Sequence, residues 1–261
     1  MDKSDKYKPI GLFDSGVGGL TVYKELKTLL PNEDYIYFGD TLNMPYGEKS
    51  EEQLTEIARK IFDFFASQQV KAVVMACNTT SAICYDKLKD DYDFKIYPVI
   101  QSVSKILSAR DVKRIGVFAT PATVNSHAYS KYILGKEVFE VGCPEWVKIV
   151  ENNEINTPES INKIKNRIDE MMKFNPERIV LGCTHYPYLA DVIGKFYPEQ
   201  NLINPAKYFA QYIKDDLSES GLLGANDGGY EDIFVSAEPV KFMLSSERFY
   251  PISKLPKLLK L

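Results

Sequence analysis

Two cysteines in this chain occupy matching sequence contexts. Cys77 follows the apolar run at residues 72–76, and Cys183 follows the apolar run at residues 178–182. Both runs are short and rich in β-branched residues, which is typical of a buried parallel strand. Polar residues follow each cysteine. Because ligands of open α/β sheets bind beyond the carboxyl ends of the strands, both thiols are predicted to lie at a ligand site.

The match extends upstream of each cysteine. Residues 10–15 resemble residues 115–120, and the spacing is 62 positions from Ser15 to Cys77 and 63 from Thr120 to Cys183. Two similar halves, related by a pseudo-two-fold axis, would place one thiol on either side of a single site. A thiol has an ordinary pKa of about 8.5, so one thiolate base and one thiol acid can coexist near neutrality. This pair suits removal of the α-proton of an amino acid and its return from the opposite face, which inverts the carbon.

Composition excludes several other classes of protein. The chain has 261 residues, 44% of them hydrophobic and 26% charged, with a net charge of −4, so it is not expected to bind nucleic acid. The polar start lacks a secretory signal, and no apolar run approaches the roughly 20 residues of a membrane span. We therefore expect a cytoplasmic protein that binds no membrane. The four cysteines show no zinc-site spacing, and Cys84 and Cys143 are interpreted as core thiols without disulfides.

Strand-like and helix-like segments alternate along the chain, which predicts an α/β fold with mainly parallel sheets. We expect two α/β lobes with the site in the cleft between them: residues 1–98 plus 207–261, carrying Cys77, and residues 99–206, carrying Cys183. Residues 221–229 are predicted as a loop, and residues 251–261 as a surface or frayed segment. Strands are predicted at 10–13, 35–38, 73–76, 95–100, 115–118, 179–181 and 233–237, and helices at 20–30, 51–68, 81–89, 123–133, 161–173, 187–196, 206–216 and 239–245.

The loop that starts at Asp14 is rich in glycine but is a poor match to a nucleotide site. Position 21 is Thr where the dinucleotide motif needs its third glycine, and the Asp14 carboxylate would repel a phosphate. The glycines still allow backbone amides to approach a ligand, and the following helix start favours an anion. An acid beside anion-binding amides suits a zwitterion, whose ammonium would lie near Asp14.

Polar residues after both cysteines are candidate ligand contacts. Asn78 and Thr79 could donate hydrogen bonds to a carboxylate, and a helix beginning just past Cys77 is expected to lower the pKa of that thiol. If the second strand continues, Cys183 and His185 share a face, so His185 could tune the thiol or contact substrate. His127, the other histidine of the chain, is interpreted as structural.

Together these motifs resemble the glutamate racemase family, within the cofactor-independent aspartate/glutamate racemase superfamily. The resemblance implies interconversion of L- and D-glutamate without pyridoxal phosphate, metal or nucleotide, and a supply of D-glutamate for peptidoglycan synthesis. Family members commonly pair, which implies a homodimer. The motifs that carry the resemblance are Gly11-Leu12-Phe13-Asp14-Ser15-Gly16-Val17-Gly18-Gly19-Leu20-Thr21, Gly39-Asp40-Thr41, Pro45-Tyr46-Gly47, Ala76-Cys77-Asn78-Thr79 and Leu181-Gly182-Cys183-Thr184-His185-Tyr186-Pro187.

The same resemblance implies roles for individual residues. Cys183 would deprotonate L-glutamate and Cys77 would deprotonate D-glutamate, with Asp14 and His185 assisting the neighbouring thiols. Glu151 matches an acidic position near the family's site. The residues expected to hold substrate are Asp14, Ser15, Tyr46, Gly47, Asn78, Thr79, Thr184 and His185, together with Thr120 as the counterpart of Ser15.

Three other functions remain open at this point. A superfamily racemase acting on aspartate or a hydantoin would be separated by comparing turnover of glutamate and aspartate. A hydrolase with Cys183 as nucleophile and His185 as base would leave Cys77 without a role, and the sequence offers it no evident third triad member. A non-catalytic amino-acid-binding protein would bind its ligand without solvent exchange at the α-carbon.

Overall fold

The computed structural model describes residues 5–224 and 229–261, and its strands form two separate parallel sheets. The first sheet has the order β10-β9-β2-β1-β3-β4, and the second has the order β6-β5-β7-β8. The described strands are β1 (Ile10–Asp14), β2 (Tyr35–Gly39), β3 (Ala72–Met75), β4 (Lys95–Pro98), β5 (Arg114–Ala119), β6 (Glu137–Gly142), β7 (Arg178–Gly182), β8 (Leu202–Ile203), β9 (Glu231–Val235) and β10 (Lys257–Leu258).

Helices connect the strands and cover both sheets, as parallel pairing requires. The α-helices of the described ranges are α1 (Leu20–Leu29), α2 (Glu51–Ser67), α3 (Asn78–Leu88), α4 (Val99–Ser108), α5 (Pro121–Asn125), α6 (Ala128–Tyr132), α7 (Trp146–Glu151), α8 (Pro158–Met172), α9 (Ala190–Ile193), α10 (Pro205–Glu219) and α11 (Pro239–Ser246). The predicted α/β fold with parallel sheets is therefore confirmed. None of the described helices has the length and apolar character needed to cross a bilayer.

The central strands of both sheets fix the thiol-bearing loops. In the first sheet, β1 lies between β2 and β3, with Phe13 opposite Met75; in the second, β5 lies between β6 and β7, with Ala119 opposite Gly182. Every residue of β1 and β3 is buried, which explains their continuous apolar sequence. Because the pairs are parallel, the loops after β1 and β3 leave the same edge of the first sheet, as those after β5 and β7 leave one edge of the second.

The chain crosses between the sheets twice, each time at a proline. The first crossing runs from β4 into α4 at Pro98, and the second runs from β8 into α10 at Asn204 and Pro205. The first sheet draws its strands from residues 10–98 and 231–258, and the second from residues 114–203. The lobe boundaries at 98/99 and 206/207 stay a prediction.

Several predicted helices differ from those observed. The helix predicted at 81–89 begins three residues earlier, at Asn78, immediately after Cys77. The helix predicted at 123–133 is divided into α5 and α6, because His127 adopts a left-handed φ of 53° between them. The helix predicted at 187–196 is α-helical only in the single turn of α9, which a 3-10 helix at Tyr186–Leu189 precedes.

Sequence reasoning also missed three elements that position the site, namely β6, α4 and α7. The predicted strand at 95–100 ends at Pro98, and its last two residues already belong to α4. The end of the chain is not frayed, since β10 pairs with β9 at the edge of the first sheet. The loop predicted at 221–229 lies partly outside the described residues.

Candidate active site

Both thiols lie at the carboxyl ends of strands, as predicted. Cys77 follows β3 and is the N-cap residue of α3, and Cys183 directly follows β7. They are almost fully enclosed, with 6% and 8% of their surfaces exposed. The two thiols interact electrostatically, since the charge of Cys183 makes a small contribution to the raised pKa of Cys77.

The carboxylate of Asp14 lies at the end of β1 beside Cys77. Asp14 is fully buried; its Oδ2 accepts a hydrogen bond of 3.1 Å from the backbone N–H of Gly16, and its Oδ1 has no partner among the described residues. Burial raises the pKa of Asp14, against the opposing effects of the His185 charge and of the Gly16 and Gly19 amides. A buried carboxylate with an unpartnered oxygen is prepared to accept a hydrogen bond from a ligand.

The pKa of Cys77 is raised rather than lowered, so the expectation of a net lowering by the helix N-terminus is wrong. Burial, followed by the negative charge of Asp14, raises the pKa of Cys77 to about 12, and the hydrogen bonds of Thr80 only partly offset this. Desolvation penalises a thiolate more than one turn of helix stabilises it here. Cys77 is therefore a protonated thiol at neutral pH in the enclosed site.

Cys183 has a different electrostatic neighbour, the imidazole of His185. Its Sγ lies 3.9 Å from His185 Nδ1, and His185 Nε2 lies 3.1 Å from Oε1 of Glu151. Burial lowers the pKa of His185, but Cys183 and Glu151 outweigh burial and raise the pKa to about 10. The imidazole is therefore protonated at neutral pH and places a positive charge beside Cys183.

Residues of the two lobes meet directly at this site. The hydroxyls of Thr79 and Thr120 are 3.1 Å apart, and the Tyr129 hydroxyl donates a hydrogen bond of 2.8 Å to Oδ1 of Asn78. Thr120 also caps α5, where its side chain accepts from the backbone N–H of Thr123. Three side chains predicted from sequence, Asn78, Thr79 and Thr120, thus meet here, together with Tyr129, which was not predicted.

The first loop packs closely against the loop that carries Cys183. A Cβ built on Gly18 would lie 2.4 Å from Thr184 Oγ1 and 2.5 Å from His185 Cε1, so only glycine fits at this position. Thr184 Oγ1 lies 3.4 Å from Nδ1 of His185. Ser15 is half-buried next to Asp14. These contacts place Thr184 beside His185 at the site of Cys183, whereas Ser15 is linked to the site only as the neighbour of Asp14.

Tyr46 and Gly47 approach the site from the loop after β2. The Tyr46 hydroxyl donates a hydrogen bond of 2.6 Å to Oδ2 of Asp40. Burial, followed by Asp40, raises the pKa of Tyr46, with smaller contributions from the charges of Cys77 and Asp14. A Cβ on Gly47 would lie 3.7 Å from Cβ of Thr120. The Tyr46 hydroxyl is therefore engaged by Asp40, and Gly47 lies near Thr120 of the site.

Sequence reasoning gave no role to Asp40 or to Tyr129. Asp40 is buried, and it accepts hydrogen bonds from Asn43 and Ser236 as well as from Tyr46, so it holds this loop in place. The motif at 39–41 was the only signal for it. Tyr129 carried none, because it lies in a segment predicted as one uninterrupted helix.

Two cavities bear on where a substrate would lie. A cavity of about 280 Å³, lined by residues that include Lys49, Lys60 and Leu261, does not touch either thiol. A cavity of about 10 Å³ lies against Asn78, Cys183 and Thr184. That is close to the volume of one water and far too small for an amino acid. The thiols, rather than cavity size, identify the site. Within the described ranges, no group of three or more His, Cys, Asp or Glu side chains is arranged to hold a metal ion.

The fold and the site define an α/β protein with two parallel sheets and, in each sheet, a thiol that follows the carboxyl end of a strand. Residues 10–213 match the Asp/Glu/Hydantoin racemase family. A relative from Thermoanaerobacter sp. (strain X514), named glutamate racemase, is 41% identical over 246 residues, which is 92% of each chain. The chain belongs to this racemase family.

Solved structures agree with this assignment. Glutamate racemase from Thermus thermophilus, crystallised with beta-chloro-D-alanine, superposes with a TM-score of 0.90 at 35% identity, covering 98% of each chain. Glutamate racemase from Francisella tularensis subsp. tularensis SCHU S4, in complex with D-glutamate, gives a TM-score of 0.89 at 33% identity and the same coverage. The similarity therefore extends over both sheets.

Proposed function

We propose that this protein is a glutamate racemase that interconverts L- and D-glutamate by proton transfer between two thiols. The observation that carries the proposal is the pair Cys77 and Cys183, each at the carboxyl end of a strand and each beside a different charged group, Asp14 and His185 respectively. The names of the similar proteins supply glutamate as the substrate.

The reaction needs one base and one acid on opposite faces of the α-carbon. A thiolate takes the α-proton, the Cα–H bond breaks, and its electron pair is delocalised into the adjacent carboxylate. The thiol on the other face then donates its proton to the same carbon, so the configuration inverts and the thiolate is left on the second cysteine. We assign Cys183 as the base for L-glutamate and Cys77 as the base for D-glutamate.

The charges around the thiols support this division of roles. The imidazolium of His185 attracts a thiolate on Cys183, and Glu151 maintains the charge of that imidazolium. The carboxylate of Asp14 disfavours a thiolate on Cys77, which therefore starts as the acid. In the reverse direction a substrate ammonium placed against Asp14 would offset its negative charge and ease formation of the Cys77 thiolate.

The polar side chains around the thiols are suited to an amino-acid zwitterion. Asp14 offers its unpartnered Oδ1 to the ammonium. Asn78, Thr79, Thr120 and Thr184 provide amide and hydroxyl donors for the two carboxylates, assisted by Ser15 and by the backbone at Tyr46 and Gly47. His185, beside Thr184, contributes a positive charge near the same groups.

Substrate entry requires the lobes to separate. The cavity against Cys183 holds at most about one water, and the hydroxyl contacts between Thr79 and Thr120 close the cleft. We infer that these hydroxyls exchange their mutual contact for substrate oxygens when glutamate binds. Closing the lobes again would exclude water, which would otherwise exchange with the transferred proton.

The wider biological setting follows from the family resemblance. We propose that the protein acts in the cytoplasm, supplies D-glutamate for peptidoglycan synthesis and forms a homodimer. The lobes would be residues 1–98 with 207–261, and residues 99–206. The proposed proton transfer uses only the substrate and side chains of this protein.

Turnover of glutamate and aspartate in deuterium oxide, without added cofactor, tests the proposal. Loss of the α-proton signal of L-glutamate, with matching formation of D-glutamate, is the expected result. Exchange of aspartate in place of glutamate would assign the protein to the aspartate activity of the same superfamily. Binding of either amino acid without exchange would instead indicate a non-catalytic binding protein.

One observation favours a second candidate, a cysteine hydrolase. The structure supplies the third member that the sequence did not reveal, because Cys183, His185 and Glu151 form a thiol–imidazole–carboxylate series. This function would still leave Cys77 and its carboxylate neighbour without a role. A burst of product from a chromogenic ester that depends on Cys183 but not on Cys77 would support the hydrolase.

A further inference from the structure

Tyr129 is a buried side chain that contacts the residue after Cys77 and packs against the residue before Cys183. It lies in α6 of the second lobe with none of its surface exposed. Its hydroxyl donates to Oδ1 of Asn78, the residue after Cys77, over 2.8 Å. On the other side, a Cβ built on Gly182, the last residue of β7 and the residue before Cys183, would lie only 3.0 Å from Cε2 of the Tyr129 ring.

We propose that Tyr129 is a positioning residue that orients the Asn78 amide toward substrate and sets the separation of the Cys77 and Cys183 loops. The inference deepens the proposed racemase function and rests on it. Tyr129 does not touch the reacting atoms in this account, since it acts through Asn78 on one side and Gly182 on the other.

The hydroxyl fixes which end of the Asn78 amide is available to a ligand. An asparagine side chain has one acceptor oxygen and two N–H donors. Burial, with smaller contributions from the charges of Glu140 and Cys183, raises the pKa of Tyr129, so its O–H stays protonated. Because this O–H engages Oδ1, the Nδ2 donors of Asn78 remain for an acceptor such as a substrate carboxylate.

The helix that carries Tyr129 is itself held in place on both sides. His127 has a left-handed φ of 53°, which turns α6 away from the direction of α5. Glu140 of β6 accepts hydrogen bonds from the backbone N–H and the hydroxyl of Ser130, over 3.0 and 2.6 Å. These anchors leave the Tyr129 ring little freedom to follow Asn78 if the lobes move apart. The hydrogen bond between Tyr129 and Asn78 is therefore expected to form only when the two lobes are close together, as they are in the structure.

The substitution Tyr129→Phe tests the role of the hydroxyl while retaining the ring against Gly182. We expect KM for glutamate to rise roughly tenfold in both directions, the effect of losing about 1.4 kcal/mol of binding, while kcat falls less than threefold. Since the enantiomers have equal free energy, kcat/KM must remain equal in the two directions. The matched control is Tyr35→Phe, which removes an equally buried hydroxyl that donates 3.0 Å to the Leu30 carbonyl, with unchanged kinetics expected.

A double-mutant cycle with Asn78→Ala separates positioning from general destabilisation. If Tyr129 acts through Asn78, adding Tyr129→Phe to Asn78→Ala produces no further rise in KM. A further tenfold rise in the double variant, or an unchanged KM in Tyr129→Phe, would overturn the inference. Melting temperatures of Tyr129→Phe and Tyr35→Phe are compared, so that a change in KM can be distinguished from a general loss of stability.

The outcomes separate this inference from the function on which it rests. A wild-type protein that exchanges no α-proton of glutamate would reject the racemase proposal itself. A wild-type protein that racemises glutamate, together with a Tyr129→Phe variant that behaves like Tyr35→Phe, would reject only the role of Tyr129.

Discussion

Gly18 and His185 are in such close contact that no side chain fits between them. The Cβ of an alanine at position 18 would lie 2.5 Å from Cε1 and 2.6 Å from Nδ1 of the imidazole. This contact joins the loop that carries Asp14 to the loop that carries Cys183. The position of the His185 imidazole thus depends on a residue of the loop after β1.

Replacing Gly18 by Ala should therefore displace Thr184 and His185. We expect a loss of about 1–3 kcal/mol in the free energy of unfolding, as for other overpacked sites, and a fall in kcat of at least about tenfold. Urea unfolding and steady-state kinetics measure the two effects. The control is Gly142→Ala, whose Cβ would have its nearest neighbour at 3.8 Å. Equal unfolding free energies and equal kcat values for Gly18→Ala and Gly142→Ala would show that the close contact at Gly18 affects neither stability nor catalysis.

The substitution Glu151→Gln should change the pH dependence of racemisation. Glu151 helps raise the pKa of His185 to about 10, so removing its charge lowers that pKa and the imidazolium is lost at a lower pH. We expect the alkaline limb of kcat for L-glutamate to move down by about one pH unit or more. Glu154→Gln, at an exposed position of the same segment, is the control. If the alkaline limb of Glu151→Gln stays at the wild-type pH, Glu151 does not maintain the positive charge of His185.

His185 should also make the stability of the fold depend on pH. Its pKa is raised from the model-peptide value of 6.5 to about 10 in the folded protein, so its stabilising contribution is complete below about pH 6.5. That contribution is lost as the pH rises through about 10. The stability difference between wild type and His185→Asn, measured by urea unfolding, should therefore shrink between pH 6 and pH 10. A difference that grows over this range would be inconsistent with a buried imidazolium.

Replacing Asp14 by Asn should remove charge from the site without changing its volume. The proposed roles of Asp14 are to hold the substrate ammonium and to assist Cys77, and general acid–base contributions of this kind are typically about 10²–10⁴-fold. We expect racemisation to slow by about 10²-fold or more. Asp90→Asn, on an exposed part of the surface, serves as the control. A fully active Asp14→Asn variant would remove Asp14 from the mechanism.

The parts of the site that follow a strand were predictable from sequence. Asp14, Cys77 and Cys183 come at or just after apolar runs, and strand periodicity places such residues at one edge of a sheet. The contact between His185 and Glu151 has no such signal, because α7 was not recognised and the two residues are 34 positions apart. Glu151 was reached only through the family resemblance.

The pKa of Cys77 and the break between α5 and α6 were the features least predictable from sequence. The expected effect of a helix N-terminus on Cys77 is real but smaller than the cost of burial, which depends on the packed tertiary structure. The left-handed φ of His127 divides a segment whose side chains have helical periodicity. Since periodicity reports the burial of side chains and not the dihedral angles of one residue, the position of Tyr129 could not be deduced.

The most direct test of the account follows the α-proton in Cys77→Ser and Cys183→Ser variants. L- and D-glutamate are incubated separately in deuterium oxide with each variant, the wild type and Cys84→Ser, which alters a buried cysteine in the middle of α3. We predict that wild type and Cys84→Ser exchange the α-proton with inversion, and that both other variants racemise at least about 10³-fold more slowly. Racemisation at the wild-type rate by either Cys77→Ser or Cys183→Ser would contradict the two-thiol mechanism.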